Sequence, residues 1–330
     1  MATIDNCLFE PSRYLWSVSI FAARESPDEL IDTIKSIVEA SAEATIVDVM
    51  VNGNSELASE TAKQVDLLQQ SLGSSIIRVW SISLAGKAHA WNQYVHNIWP
   101  GSTLAYFVDG YARVQKSGLQ LLAASISSST DALAAGGVPV SGGTARQLRE
   151  HTLKVGGLHG ALFVLKEAVM LEMRDKGFRL PLGLYGFDSL LGAVLAFGLD
   201  PSVNNWDIKK FVILNPDVVF IIDEKKWWRY SVIKTQFKRI LNNALRVLVV
   251  EATKYYLARQ KRQPECLPKT VEEFVLGWVN NCPGDARKIL RKYPICRIVL
   301  KRLKEPRDWS AASKLPELIY TSKKCCTSVS

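Results

Sequence analysis

The sequence predicts an α/β domain on a mainly parallel sheet, followed by a basic, mainly helical C-terminal region. Three observations predict it. Short apolar runs alternate with amphipathic stretches of helical spacing through the first hundred residues. One run, Leu104-Ala105-Tyr106-Phe107-Val108, ends on Asp109, a lone charge where a buried strand meets its loop. Charge is also divided along the chain. Residues 1–220 hold 17 Lys/Arg against 22 Asp/Glu, a net of −5, whereas residues 221–330 hold 24 against 10, a net of +14.

Trp16 to Ala23 is the first strand, and Pro27-Asp28-Glu29-Leu30 opens a helix whose apolar face carries Leu30, Ile31, Ile34, Ile37 and Val38. Ala44 to Val51 is the second strand, closed by the turn formers Asn52-Gly53-Asn54. A polar helix to about residue 70 leads to a third strand, Ile76 to Trp80, then to a helix over Lys87 to Ile98 and the strand ending at Asp109. Beyond it the pattern predicts a helix over Leu119–Ser127, a glycine-interrupted strand over Ala132–Val140 and a strand over Ala161–Leu165. A helix over Lys166–Lys176 follows, then an apolar helix opened by Phe187-Asp188-Ser189, and late strands at Phe211–Leu214 and Val218–Ile222. In the basic region, residues 232–258 read as one long amphipathic helix. Phe237, Ile240, Leu241, Ala244, Leu248 and Tyr255 form its stripe, and Lys234, Lys238 and Arg246 lie away from it. Thr270-Val271-Glu272-Glu273 has capping-box spacing, and Asp285 leads a further helix.

A chain of 330 residues, 48% hydrophobic, can bury a large core. Its net charge of +9 suits an anionic partner, but no DNA- or RNA-binding module accompanies it, so no specific nucleic acid is expected. Cys7, Cys266, Cys282, Cys296, Cys325 and Cys326 show no zinc spacing and read as reduced thiols. Asp5 and Glu10 interrupt the N-terminal stretch, so no secretory signal is expected, and no uncharged apolar run reaches spanning length. The expected setting is cytoplasmic, and an anionic membrane surface met through residues 225–262 is a candidate partner. There Lys225, Lys226, Trp227, Trp228, Arg229 and Tyr230 combine cations with interfacial aromatics ahead of the amphipathic helix. The reading set ahead of it is that the stripe covers the first domain and the lysines face water.

Glu25, Asn52 and Asp109 stand just beyond apolar strands, so one end of a parallel sheet gathers them. No glycine loop has dinucleotide or P-loop spacing, and no Gly-x-Ser-x-Gly elbow is present. A nucleotide diphosphate needs its charge compensated, and Asp109 is the carboxylate best placed to hold a divalent cation for that purpose. Lys87, at a helix start after Gly86, is within reach of a phosphate. Asp188, between Phe187 and an apolar helix, suits proton abstraction from a hydroxyl. Each has a structural counterpart: a buried strand-end aspartate, a solvated lysine, and a helix cap at Asp188. His159, in a glycine-rich stretch, reads as a metal or phosphate contact or as a hydrogen-bonded structural histidine.

The ordered series Ala22-Ala23-Arg24-Glu25, Asn52-Gly53-Asn54, Gly86-Lys87-Ala88-x-Ala90-x-Asn92, Phe107-Val108-Asp109-Gly110-Tyr111 and Gly186-Phe187-Asp188-Ser189-Leu190 resembles the family 2 glycosyltransferases with a GT-A fold, over residues 14–220. The resemblance implies a GT-A-like sheet that binds one nucleotide. With the charge division, the chain is expected to fall into a catalytic domain at 14–222, a basic helical region at 223–310 and a flexible tail at 311–330. The resemblance implies nucleoside contacts at Glu25 and Asn52, nucleotide contacts at Lys87 and Asn92, and a Mg²⁺ or Mn²⁺ ion with the donor diphosphate at Asp109. It places the general base at Asp188. Three positions depart from the family pattern: Asn52 replaces an aspartate, Tyr111 replaces the second carboxylate of the Asp-x-Asp motif, and Phe187 replaces the acidic neighbour of the base. No Gln-x-x-Arg-Trp motif of processive synthases is present, Trp227-Trp228-Arg229 standing near its place.

The function implied is inverting transfer of a sugar from a nucleotide-sugar donor, a UDP-sugar by family habit, to a hydroxyl acceptor of unknown identity that a membrane location would make lipid-linked. Two alternatives stand beside it. One is a catalytically silent glycosyltransferase-like protein that binds nucleotide sugars, and the other is a different nucleotidyl- or nucleotide-sugar-transfer enzyme on a related fold.

Overall fold

The computed structural model describes residues 14–42, 44–68, 75–139, 145–222 and 230–322. It opens with β1 (Trp16–Ala22), α1 (Pro27–Ala40), β2 (Thr45–Asn52), α2 (Ser55–Leu67), β3 (Ile76–Ile82) and α3 (Lys87–Gln93), the last extended by a wider π turn over Tyr94–Ile98. Then come β4 (Leu104–Asp109), β5 (Ala112–Val114), α4 (Gly118–Ser127), β6 (Ala134–Pro139), α5 (Ala145–Val155), β7 (Leu162–Lys166), α6 (Glu167–Asp175), α7 (Phe187–Ala196), α8 (Ile208–Phe211) and β8 (Val212–Ile222). The C-terminal region holds α9 (Tyr230–Thr253), α10 (Val271–Asn281), α11 (Pro283–Lys292), α12 (Cys296–Leu303) and β9 (Glu317–Thr321). Local chemistry explains the starts of two helices. Ser26 and Glu29 form a reciprocal capping box with Pro27 at the first helical position of α1, and Thr270 with Glu273 does the same for α10.

The nine strands among the described residues join one sheet in the order β5-β8-β6-β7-β4-β1-β2-β3-β9. β3, β2, β1 and β4 run parallel, as the alternation of strands and helices predicts. The other half is mixed. β7 is antiparallel to both β4 and β6, β8 is parallel to β6, and β5 and β9 are antiparallel edges. The expectation of a mainly parallel sheet therefore holds for the first four strands only. After β1 the chain builds outward through β2 and β3, then returns to place β4 on the other side of β1. That reversal opens a crevice at the carboxyl ends of β1 and β4, where open α/β sheets bind ligands.

β1, β2, β4 and β6 are buried on both faces, so they read as apolar runs rather than alternating ones. Strand parity still sorts the side chains. Leu104, Tyr106 and Val108 of β4 pack with Ile34, Ile37 and Leu122, whereas Ala105 and Phe107 pack with Trp91, Tyr94 and Phe163. Phe107 stacks on Phe163 at 4.7 Å and meets Tyr94 edge-on at 5.7 Å. Asp109 shares the parity of Phe107 and so faces α3 and α7.

Three expectations need correcting. The helix α5 was not anticipated, because its sequence is mostly polar. The two late strands are one continuous β8. Residues 311–322, expected as flexible tail, return to the sheet: β9 pairs antiparallel with β3, and Tyr320 reaches Asp66 at 3.1 Å. Backbone groups along an exposed sheet edge recruit such a strand with little demand on side-chain pattern.

The packing of α9 agrees with the reading set ahead for its stripe. Leu241, Ala244, Leu248 and Tyr255 are buried in the core that contains α7, and α9 packs against α7, α10 and α12; among the described side chains of the stripe, Ile240 is exposed, at 50%. The apolar face covers the first domain instead of lipid. The aromatic and basic run Lys225 to Arg229 lies outside the described residues, as do Cys7, Cys325 and Cys326, and the side chain of Phe237 is not among those described. Among the described residues no helix is long and apolar enough to cross a membrane.

Candidate active site

The loops after β1, β2, β3 and β4 meet at the crevice. After β2, Gly53 adopts φ +66°, and a side chain there would run into Ala85 at 2.4 Å, so only glycine lets the two loops close together. Asn52 holds the junction, donating from Nδ2 to the Ala22 carbonyl at 2.8 Å and accepting the Gly86 N–H on Oδ1 at 2.8 Å. Glu25 folds back on its own loop, where Oε2 accepts the N–H groups of Ala23 and Arg24 at 2.7 and 2.8 Å. These two residues therefore stand at the expected edge, with Asn52 tying together the ends of three strand–loop units.

Gly86 precedes α3 and aims Lys87 into the crevice. Its ammonium forms an ion pair with Asp109 Oδ1 and donates to the Gly160 carbonyl at 2.7 Å. Aromatic rings wall it in, Phe187 at 4.8 Å and Phe21 at 5.6 Å. The second oxygen of Asp109 accepts the hydroxyl of Tyr111 at 2.6 Å. Burial, then the charge of Asp109 and its hydrogen bond, hold that phenol far above its ordinary pKa, so Tyr111 stays a donor.

Asp188 lies in the first turn of α7, but it is not the cap. Gly186 occupies that position at φ +69°, with no side-chain cap bond. The carboxylate looks across Gly160 toward Lys87: a β-carbon on Gly160 would stand 3.4 Å from Asp188 Cγ and 3.7 Å from Lys87 Nζ. Its partner is Arg246 of α9, whose Nη2 approaches Oδ1 at 3.4 Å. The half-buried imidazole of His159 feels all four charges. Burial pushes its pKa down, the carboxylates of Asp188 and Asp109 pull it up, and Lys87 and Arg246 push it down again. The net direction is down, leaving a neutral ring whose Nδ1 accepts the Ala161 N–H at 3.2 Å. The structural reading of His159 is the one its contacts favour.

Of the residues named from sequence, Lys87, Asp109 and Asp188 converge, with Glu25 and Asn52 on the adjoining rim. Asn92 does not join them. It is buried, and its amide forms a reciprocal pair with the backbone of Leu180, 2.8 Å in each direction. Its expected nucleotide contact gives way to a structural tie, because α3 turns that side chain toward the loop before α7. Arg246 and Gly160 were missed. Arg246 carries no local signal in a region full of cations, and Gly160 matters only through what lies on either side of it.

The donor set does not fit the Mg²⁺ or Mn²⁺ ion expected at Asp109. A hard cation needs several oxygen ligands. Here both oxygens of the one carboxylate already accept hydrogen bonds, and an ammonium lies against it. Among the described residues no group of three or more His, Cys, Asp or Glu is placed to hold a metal.

The fold resembles solved structures. A mannosyltransferase from Pyrobaculum calidifontis, in complex with GDP-Man and Mn²⁺, matches with a TM-score of 0.55 at 16% identity, over 92% of this chain and 79% of that one. S. aureus TarS matches with a TM-score of 0.44 at 12% identity, over 89% of this chain and 56% of that one. The first likeness shows a GT-A-like glycosyltransferase fold for this chain, the fold class expected from its sequence. No family model matches the sequence, and no curated protein matches it.

Proposed function

We propose that the chain is an inverting glycosyltransferase that moves a sugar from a nucleotide-sugar donor, by first choice a UDP-sugar, to an acceptor hydroxyl. The observation that carries this reading is the arrangement around Gly160. A cation–carboxylate pair at the topological switch point, Lys87 and Asp109, faces a second carboxylate, Asp188, across a residue with no side chain.

The roles follow from charge. The donor diphosphate lies beside Lys87, where negative charge grows as the glycosidic bond breaks. Asp109 holds Lys87 in place and faces the sugar. Asp188 accepts the proton of the acceptor hydroxyl as its oxygen bonds to the anomeric carbon. The bond from that carbon to the diphosphate oxygen breaks on the opposite face, so configuration inverts and the nucleoside diphosphate leaves. Glu25 and Asn52 shape the rim on which the nucleoside rests.

The engagement of Asp109 by Tyr111 favours a second reading, a silent protein that binds nucleotide sugars without turning them over. Incubation with UDP-, GDP- and CDP-sugars separates the readings. An active enzyme should release nucleotide from one donor, slowly without acceptor, and Asp188→Asn should bind that donor but lose transfer. Donor binding with no release under any acceptor condition supports the silent protein, and failure to bind any donor overturns both.

A further inference from the structure

We infer that the donor diphosphate is neutralised by two side-chain cations, Lys87 and Arg246, in place of a divalent metal ion. This inference rests on the donor reading above. It begins from the misfit at Asp109, whose two oxygens are satisfied by Lys87 and by Tyr111, the residue standing where a second carboxylate was expected. The diphosphate still needs counter-charge in a crevice with apolar walls. The residues present supply it as cations.

Both cations have unused donors. An ammonium offers three, and Lys87 spends one on Asp109 and one on the Gly160 carbonyl. A guanidinium offers five in a planar fork that suits phosphate oxygens. Arg246 spends one, in a long 3.4 Å approach to Asp188, and its Nε is enclosed with no hydrogen-bond partner. A buried donor left unpaired is costly unless another group arrives to accept it.

The surrounding structure keeps the guanidinium in place. Gly186 stands at φ +69°, and a β-carbon there would lie 2.6 Å from Arg246 Nη2 and 2.7 Å from Nε. The guanidinium thus lies directly against the backbone that opens α7, with the Tyr185 ring 5.9 Å from it. Arg246 comes from α9, so the basic C-terminal region contributes a residue to the crevice. The charges of Lys87 and Asp109, and of Arg246 and Asp188, offset each other pairwise. On donor binding, the phosphate oxygens take over the spare N–H groups, and Asp188 is released toward the acceptor.

Calorimetric titration of the full chain with UDP, GDP and CDP, each beside its monophosphate, tests this in EDTA and in Mn²⁺. One diphosphate should bind in EDTA, with a Kd that Mn²⁺ changes by less than about threefold. Arg246→Gln should weaken that diphosphate about tenfold, the scale of one charge-assisted bond, and leave its monophosphate within about twofold. Arg246→Lys should recover part of the loss. Thermal unfolding checks that the variants fold; if Arg246→Gln does not, Arg246→Lys and the metal comparison on the unaltered chain decide. Diphosphate binding that appears only with Mn²⁺, or that Arg246→Gln leaves unchanged, overturns the inference while the donor reading stands. Absence of diphosphate binding in both buffers overturns the donor reading and this inference with it.

Discussion

Tyr111 donates its hydroxyl to Asp109 at 2.6 Å, so the side chain at the place of a second carboxylate serves the first one as a hydrogen-bond donor. A phenol in that position cannot supply the anionic oxygen a hard cation requires, and it removes one from Asp109.

Replacing that donor with an acceptor should change the metal response. Tyr111→Asp frees an oxygen of Asp109 and adds two more beside it. Binding of the preferred nucleoside diphosphate should then tighten about tenfold or more when Mn²⁺ replaces EDTA, as two added carboxylate contacts would allow. Paired titrations of this variant and the unaltered chain give the comparison.

Gly160 separates Asp188 from Lys87 by the width of a missing side chain. Its β-carbon would lie 3.3 Å from Asp188 Cβ, tight enough to move the carboxylate by tenths of an ångström. Gly160→Ala should therefore reduce transfer about tenfold to a hundredfold, since small displacements of reacting groups are costly, with little change in melting temperature. Initial rates beside a thermal melt distinguish this from a folding defect.

Asp48 sits fully buried in β2 and accepts Arg78 Nε at 2.7 Å, Arg78 Nη2 at 3.0 Å and Trp80 Nε1 at 2.8 Å. Asp48→Ala leaves a mostly buried guanidinium without its counter-ion. The expected loss is about 3–5 kcal/mol, read from urea unfolding. Asp48→Ala combined with Arg78→Met should regain part of it by removing the unpaired charge.

Asn92 should act on stability rather than on donor affinity. Asn92→Ala abandons two buried backbone groups of Leu180, at a cost of about 1–3 kcal/mol each. Denaturation should show the loss, while nucleotide Kd at a temperature where the variant is folded should stay within about threefold of the parent. A large affinity loss in a stable variant would restore the nucleotide role.

Acid should destabilise the protein through its buried His89 and half-buried His96 and His159. Burial lowers the pKa of His89, His96 and His159; Arg179 adds to it at His89, and Arg179 and Arg174 at His96. At His159 the upward pull of Asp188 and Asp109 is opposed by Lys87 and Arg246 and does not reverse the direction. The unfolded chain takes up these protons near the ordinary value of about 6.5, and the folded chain only at lower pH. Stability is thus fully present above about pH 6.5 and falls as pH drops toward the folded values. His96 bonds the Phe178 carbonyl at 2.7 Å, which pulls the other way without reversing the direction. Melting temperatures across this range should fall, and His96→Asn should make the fall shallower.

The sequence by itself determined the parallel half of the sheet, the strand end at Asp109, the start of α7 near Asp188 and the capping box of α10. Each is written in a local pattern: a run of apolar residues, a charge at its end, a spacing of three between Thr270 and Glu273. The same patterns do not say what lies opposite. Helical period set Arg246 apart from the apolar stripe of α9 without showing that α7 would face it, 58 residues away in sequence. Asp48 reads as one charge in an apolar strand until β3 brings Arg78 beside it, and Asn92 reads as a site residue until the loop at Leu180 takes both ends of its amide. The edge strand β9 has no signature, since backbone groups recruit it. Tertiary structure alone decided these pairings, because hydrogen bonds and ion pairs depend on distance in space, which topology sets and residue spacing does not.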